Sequence, residues 1–449
     1  MSTPAHWSSR FAFIMAAVGS AVGLGNVWKF PYMAGTGGGS AFVLVYLGCV
    51  LLVGVPILMA ELMLGRRAGQ SPYYSMVELG RRFGGTPAWG FIGAMGVVAA
   101  LMILSFYSVV AGWALAYVPK LFAGSFAGAT AETTGAAFGA MLAEPLTLTF
   151  WHALFMLGTV LIVARGVQAG IEKAVVWLMP MLFLMLVMLV GYAAVTGDFA
   201  AGFAYMFRPD FSKVTPDVVI AAAGQAFFSL SIGIGTMLAY GSYLPRTVSL
   251  PSTSVIIALA DTSCALLAGV AIFPIVFANG LNPSEGPGLV FVTLTVAFGN
   301  MPGGSIFGGI FFILLFVAAI TSSVSLLEPI VATLEQKTGM KRSTLSWLVG
   351  LAAFALGMAT VFSFNHWADF HPLGGGRTVF DLIDYVTANI MLPLGGVLIA
   401  LFAGWCMDRD TSASELGMVG SPLFTAWRLL VRFFAPAMVV LVAATKLTA

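Results

Sequence analysis

Residues 20–31, SAVGLGNVWKFP, interrupt an apolar run that begins at Phe11 and that a membrane helix would carry through unbroken. Each glycine raises the cost of staying helical by about 1 kcal/mol, and the Asn26 amide is a polar group that lipid cannot satisfy. A chain that places both at that depth has a use for non-helical backbone there.

The surrounding composition sets the solvent. Of 449 residues, 59% are hydrophobic and 8% charged, against roughly 25% charged in soluble domains. The apolar stretches reach about 20 residues or more, enough to cross hydrocarbon as helices, and no ten-residue alternation suggests a barrel. The sequence therefore predicts an all-α integral membrane protein. Its eleven expected spans cover residues 10–36, 40–69, 88–120, 150–166, 172–196, 216–241, 253–280, 303–335, 343–362, 378–406 and 421–446. The first run lacks a small-x-small cleavage site and reads as a retained helix.

Cys49, Cys264 and Cys406 fall in three different spans and form no short-spaced ligand motif, so they predict core packing. With the N-terminus inside, Arg10, Arg66, Arg67, Arg81, Arg82, Arg165, Lys173, Arg246, Lys337, Lys341, Arg342, Arg409, Arg428 and Arg432 fall on the cytoplasmic side, fourteen of the twenty basic residues. That bias sets orientation. Eleven spans then leave the C-terminus external, and a cell (inner) membrane location follows. A net charge of +2 gives no reason to expect nucleic acid. The longest connections, 121–149 and 281–302, are expected outside, with short helices around 283–300 over an outer vestibule.

The break near residue 23 has a counterpart. AVGLGN at 21–26 aligns with SIGIGT at 231–236, pairing Gly23 and Gly25 with Gly233 and Gly235 at the centre of the sixth span. One Gly-x-Gly is equally a close-packing device. Paired interruptions in two five-helix halves instead point to an inverted-repeat transporter with a midplane site. The halves would be residues 10–196 and 216–406, with 421–446 as an added helix, all in one domain. Unwound backbone there offers carbonyls to a hard cation and N–H groups to a carboxylate.

Longer motifs carry a resemblance. WSSRFAFIMAAVGSAVGLGNVWKFP (7–31), GGGSAFVLVYLGCVLLVGVPILMAELMLGR (37–66), GQAFFSLSIGIGTMLAYGSY (224–243), TSSVSLLEP (321–329) and FDLIDYVTANIMLPLGG (380–396) resemble the neurotransmitter:sodium symporter family, in particular its bacterial amino-acid transporters. The resemblance implies a five-plus-five inverted fold and sodium-coupled uptake by alternating access. It implies a first sodium site of the Ala21 carbonyl, Asn26, Ser229, Asp261 and the substrate carboxylate. A second would use the Gly19, Val22 and Ala318 carbonyls with Thr321 and Ser322. Oxygen donors suit a hard ion, although hydroxyls such as Thr321 commonly bond their own helix.

The same resemblance implies a substrate that brings its own carboxylate. Gly23 stands where amine transporters carry aspartate, and as glycine it is expected to leave that place empty. The amides of Leu24 and Gly25 and the Tyr107 hydroxyl would receive the carboxylate, and carbonyls of Ala21, Phe228 and Ser229 the ammonium. Ile103, Tyr107, Phe228, Ile234 and Leu326 would line an apolar pocket, with Ser231 nearby and Gly233 leaving space. A hydrophobic or aromatic L-amino acid fits, without sharp discrimination, since a methylene is worth only about 1–3 kcal/mol there. Chloride-dependent members share Tyr46 and Gln225 but carry asparagine at the place of Asp261 and serine at that of Ala265. Here the fixed Asp261 charge replaces the anion, so no chloride requirement is expected.

Lys29 and Asp384 match the family's extracellular charge pair, where arginine is usual, and lysine lacks the bidentate fork. At the cytoplasmic end the family's ion pair is replaced by Pro4 and Gln336, leaving Trp7, Tyr240, Ser242 and Tyr243 to close that face. Gly170 and Pro180 match the family's unwinding motif in the fifth span, and Glu61 its buried acid, expected to brace the breaks through Ser231 and the backbone near Gly25. The implied partners are sodium ions, two by site count, a small zwitterion and the bilayer, with the protein a monomer or weak dimer. His6, His152, His366 and His371 lie at span ends or in loops without HExxH spacing, which argues against an intramembrane enzyme. A channel or receptor on this scaffold would bind the same ligands, and concentrative uptake separates transport from both.

Overall fold

The computed structural model describes residues 6–283 and 288–448, with side chains as far as residue 441. Pro4, expected at the cytoplasmic closure, lies outside the described residues. Among those residues every regular element is helical. Among the described residues nine helices are long and apolar enough to cross a bilayer. By position they are span 2 (Ser40–Ala68), span 3 (Pro87–Phe122), span 4 (Pro145–Ala164), span 5 (Val167–Thr196), span 7 (Leu250–Ala278), span 8 (Gly304–Thr338), span 9 (Arg342–Ser363), span 10 (Val379–Cys406) and span 11 (Pro422–Leu441). Span 1 joins Arg10–Ala21 to Gly25–Thr36 through a 50° bend. The expected sixth span is two helices, Pro216–Ser229 of 14 residues and Thr236–Ser242 of 7, each too short to cross alone.

Local chemistry explains where the helices start. Ser9 accepts the Ala12 N–H at the head of span 1, Thr215 caps Pro216–Ser229 with proline at its first turn, and Thr378 forms a capping box with Asp381 before span 10. Two boundaries differ from the sequence reading by five residues. Span 4 begins at Pro145 rather than 150, because Pro145 starts a helix without needing an N–H partner. Span 5 begins at Val167 rather than 172 with a π-turn over Val167–Glu172, and Gly170 there packs against the Ile162 carbonyl of span 4. That glycine marks a helix contact, not a loop. The long connections 121–149 and 281–302 contain helices Ala131–Ala143 and Leu289–Asn300.

Burial sorts the spans into an interior and a rim. The most apolar windows of spans 8, 3, 2 and 7 are 83, 72, 67 and 61% buried, whereas those of spans 4, 5, 9 and 11 are 39, 33, 44 and 33% buried. The rim presents apolar side chains such as Leu184, Val187 and Leu351 to lipid. Hydrophobic burial does not draw helices together in hydrocarbon, so close packing and polar contacts must do so. Gly65 lies against the Leu238 backbone and Gly112 against Trp151 and His152. His152, expected at a span end, sits two turns inside span 4, buried, with Nε2 3.2 Å from the Phe354 carbonyl. The three cysteines are unbonded, two of them buried. Asn26, Glu61, Gln225, Asp261 and Glu328 are all buried within this apolar interior.

Candidate functional site

Both expected interruptions are present, and they face each other. Helix Arg10–Ala21 ends where Val22 turns extended, and the Asn26 Oδ1 accepts the Gly23 N–H at 3.0 Å, capping the restart. Between residues 230 and 235 the chain passes through Ser231 at φ 53°, Gly233 at 85° and Gly235 at 84°. Glycine adopts that region freely, and a serine there pays a steric penalty. The breaks are sewn together: Ser231 donates to the Ser20 carbonyl at 3.0 Å, and Gln225 to the Gly25 carbonyl at 2.8 Å. Glu61 accepts the Gly233 N–H at 2.7 Å. The expected Glu61 contact with Ser231 is not made, because Ser231 turns to span 1 instead.

Two oxygen clusters flank the break in span 1. On one side Asn26 Nδ2 lies 2.7 Å from Asp261 Oδ1 and 3.0 Å from Ser229 Oγ, and Ser229 donates to Asp261 Oδ2 at 2.7 Å. Tyr46 reaches the same carboxylate at 3.4 Å. The amide thus ties the break to this cluster, its oxygen on the Gly23 N–H and its nitrogen on the carboxylate. On the other side Ser322 Oγ lies 3.2 Å from the Gly19 carbonyl and 3.1 Å from that of Val22. Thr321 lies beside it, bonded within its own helix to the Val317 and Ala318 carbonyls at 3.1 Å each. The first cluster carries one fixed charge, the second none. The side-chain and carbonyl oxygens gathered in both clusters are the donors a hard cation takes.

Between the clusters lies a pocket lined by Ser20, Ala21, Gly23, Leu24, Gly25, Ile103, Tyr107, Phe228, Ser231, Ile234, Thr236, Ser322 and Leu326. Ten of the twelve expected substrate residues line it. Ser229 does not, since its hydroxyl faces Asp261. Gly233 does not leave space there either: a Cβ on it would meet the Leu392 carbonyl at 2.5 Å, because span 10 packs directly on that backbone. The place beside Gly23 is likewise occupied, with a Cβ falling 2.6 Å from Ser322 Oγ and 3.0 Å from the Tyr107 hydroxyl. Glycine there leaves room for those two hydroxyls. Ser20 and Thr236 are additions that the sequence reading missed. Thr236 follows Gly235 at the helix restart, which was the available signal.

The two ends of the path differ. Leu24, Gly25, Tyr107 and Phe228 also border a vestibule of about 1270 Å³ that extends past Trp28, Phe291 and Phe380 to Lys29, Asp381 and Asp384. Among the described residues Lys29 and Asp384 form no ion pair within 4.0 Å; the expected latch is open, with the ammonium 4.0 Å over the Phe228 ring. At the other end Trp7 is 5% exposed, donates to the Tyr240 carbonyl at 3.1 Å, and packs on the rings of Phe13, Tyr240 and Tyr243. Tyr243 donates to Glu328 at 2.8 Å, and Arg342 pairs with Glu328 and Glu335. Gln336 accepts from Ser71, and Ser242 bonds its own helix. Span 5 stays wound through Gly170 and Pro180. The Arg342–Glu328 pair went unread in the sequence, where only an acid inside an apolar run beside Pro329 hinted at it.

This arrangement matches known proteins over its full length. The sequence model of the sodium:neurotransmitter symporter family matches residues 4–137 and 136–449. The chain belongs to that family. It is 38% identical to the uncharacterized sodium-dependent transporter YhdH of Bacillus subtilis over 98% of this chain and 97% of that protein. The dopamine transporter of Bos taurus is 26% identical over 96% of this chain and 67% of its own length. Among solved structures, that of MhsT in complex with L-phenylalanine superposes with a TM-score of 0.90 at 42% identity, covering 99% of this chain and all of that one. The family is one of membrane transporters.

Proposed function

We propose that this protein is a sodium-coupled symporter that imports hydrophobic or aromatic L-amino acids by alternating access, without a chloride requirement. One observation carries the reading: two peptide breaks meet at a pocket flanked by a charged oxygen cluster at Asn26, Ser229 and Asp261 and a neutral one at Ser322 and Thr321. The amides of Leu24 and Gly25 and the Tyr107 hydroxyl, 3.4 Å from the Leu24 nitrogen, receive the substrate carboxylate. That carboxylate completes the first cation shell, which couples ion and substrate. The carbonyls of Ala21 and Phe228 take the ammonium, and Ile103, Ile234 and Leu326 take an apolar side chain. The phenylalanine bound by MhsT supports this substrate class.

Two sodium ions accompanying a zwitterion move two charges, worth about 4.6 kcal/mol at 100 mV, or roughly a thousandfold accumulation from voltage alone. The carboxylate of Asp261 balances the first ion, which removes the need for a chloride ion. The vestibule opens outward and the Trp7 end faces the cytoplasm of a cell-membrane protein, with residues 10–196 and 216–406 as inverted halves. Binding of a panel of twenty amino acids to purified protein, with and without sodium and chloride, tests the reading. Sodium-dependent, chloride-independent binding of hydrophobic members is expected; failure of all of them would overturn the substrate class.

A further inference from the structure

Away from the transport path, at the vestibule end, a recess of about 1020 Å³ lies between the turn joining spans 1 and 2, the short helix Phe199–Phe207 and the end of span 7. Its floor is apolar, made by Ala201, Ala204 and the rings of Tyr205 and Phe277. Its rim carries Arg208, Lys213 and Asp210. Lys213 pairs with Asp210 at 3.6 Å, whereas Arg208 has no ion partner within 4.0 Å among the described residues. Two cations and one carboxylate leave the rim with a single positive charge.

The recess sits where hydrocarbon gives way to headgroups. Span 5, which leads into the short helix, exposes Leu184 and Val187 along its lipid face and Val195, 85% exposed, at its end. Just beyond, Phe203 and Phe211 are 48 and 73% exposed and flank Arg208 in sequence, as aromatic side chains do in a membrane interface. We propose that this recess binds the headgroup of an anionic phospholipid, its phosphate on Arg208 and Lys213 and its first acyl carbons along Ala201, Ala204 and Phe277. The single excess charge matches one phosphodiester. A guanidinium presents forked donors to phosphate oxygens, and a free inorganic anion would leave the apolar floor unfilled.

The site also touches the end of span 1. Tyr205 donates to the Gly35 carbonyl at 2.9 Å, and the Lys213 stem lies where a Cβ on Gly38 would meet it at 2.9 Å. A lipid that orders these residues thereby steadies the end of span 1 beyond its break.

The test titrates the purified full-length chain with phosphatidylglycerol, phosphatidylcholine or inorganic phosphate and counts retained molecules by native mass spectrometry. Wild type is expected to retain one phosphatidylglycerol in preference to phosphatidylcholine. Its half-saturating concentration should rise about fivefold for Arg208→Gln and again for Arg208→Gln/Lys213→Gln, as expected for about 1 kcal/mol per basic residue near an anionic surface. Asp210→Asn should shift it in the opposite direction, a change that misfolding cannot produce. Equal affinity in wild type and the double variant, no preference between the two lipids, or displacement of the lipid by phosphate would each overturn the proposal.

Discussion

The two breaks solve the same problem by different means. In span 1 the interruption is brief, runs through ordinary backbone angles and is capped from within by Asn26. In span 6 it spans six residues, three of them with positive φ, and is held from outside by Glu61 and span 10. The first break touches both oxygen clusters, through Asn26 on one side and the Gly19 and Val22 carbonyls on the other. The second adjoins the charged cluster through Ser229, the residue before it, and bonds span 1 through Ser231. The first break therefore joins the two oxygen clusters, and the second is braced by its neighbours.

The largest expected contrast comes from adding one methyl group to each break. Gly233→Ala should leave little folded protein. Its φ of 85° alone costs a side chain about 1–3 kcal/mol, and the new Cβ meets the backbone of Leu392 at 2.5 Å, which cannot swing away. Gly23→Ala meets only the ends of Ser322 and Tyr107. It should fold and lose amino-acid affinity roughly tenfold to a hundredfold, about 1.4–2.8 kcal/mol. Size-exclusion profiles and binding isotherms for the pair measure the contrast, and a well-folded Gly233→Ala would break it.

Next in size is Asp261→Asn, which removes the fixed charge on the braced side. Chloride-free uptake should fall by at least about tenfold, as for loss of a charged hydrogen bond worth 1.5–3 kcal/mol, and added chloride should restore part of it. Unaltered uptake in chloride-free medium would count against the charged-cluster assignment. Ser322→Ala acts on the neutral side alone. It should raise the sodium concentration for half-maximal uptake about fivefold, about 1 kcal/mol for one lost neutral oxygen contact, without creating a chloride requirement. Ser231→Gly should change least. Relief at φ 53° and loss of the bond to Ser20 are each about 1 kcal/mol and opposed, so the thermal midpoint should move by only a few degrees.

The features most legible in the sequence are those with a local cause. Apolar length marks the spans, and Gly-x-Gly with Asn26 marks the break in span 1, because each signal is complete within a dozen residues. The partners of those features are long-range and left no such mark. That span 10 fills the space beside Gly233 depends on how Leu392 and Gly396 dock, some 160 residues away. Lys29 lies over the Phe228 ring, a residue about 200 positions away that its own segment does not point to. The closing cluster of Trp7, Tyr243, Glu328 and Arg342 joins four separate segments, each unremarkable alone. Which charges pair was not readable in the sequence, because each partner lies in a distant segment.

The central claim is that bare peptide groups at the two breaks hold cations and a zwitterion together. The most direct measurement is a density map of the purified chain with sodium and L-phenylalanine. The account predicts carboxylate density on the Leu24 and Gly25 amides, with an ion bridging it to Asn26 and Asp261. Phenylalanine seated only in the vestibule, with no ion beside Asp261, would contradict it.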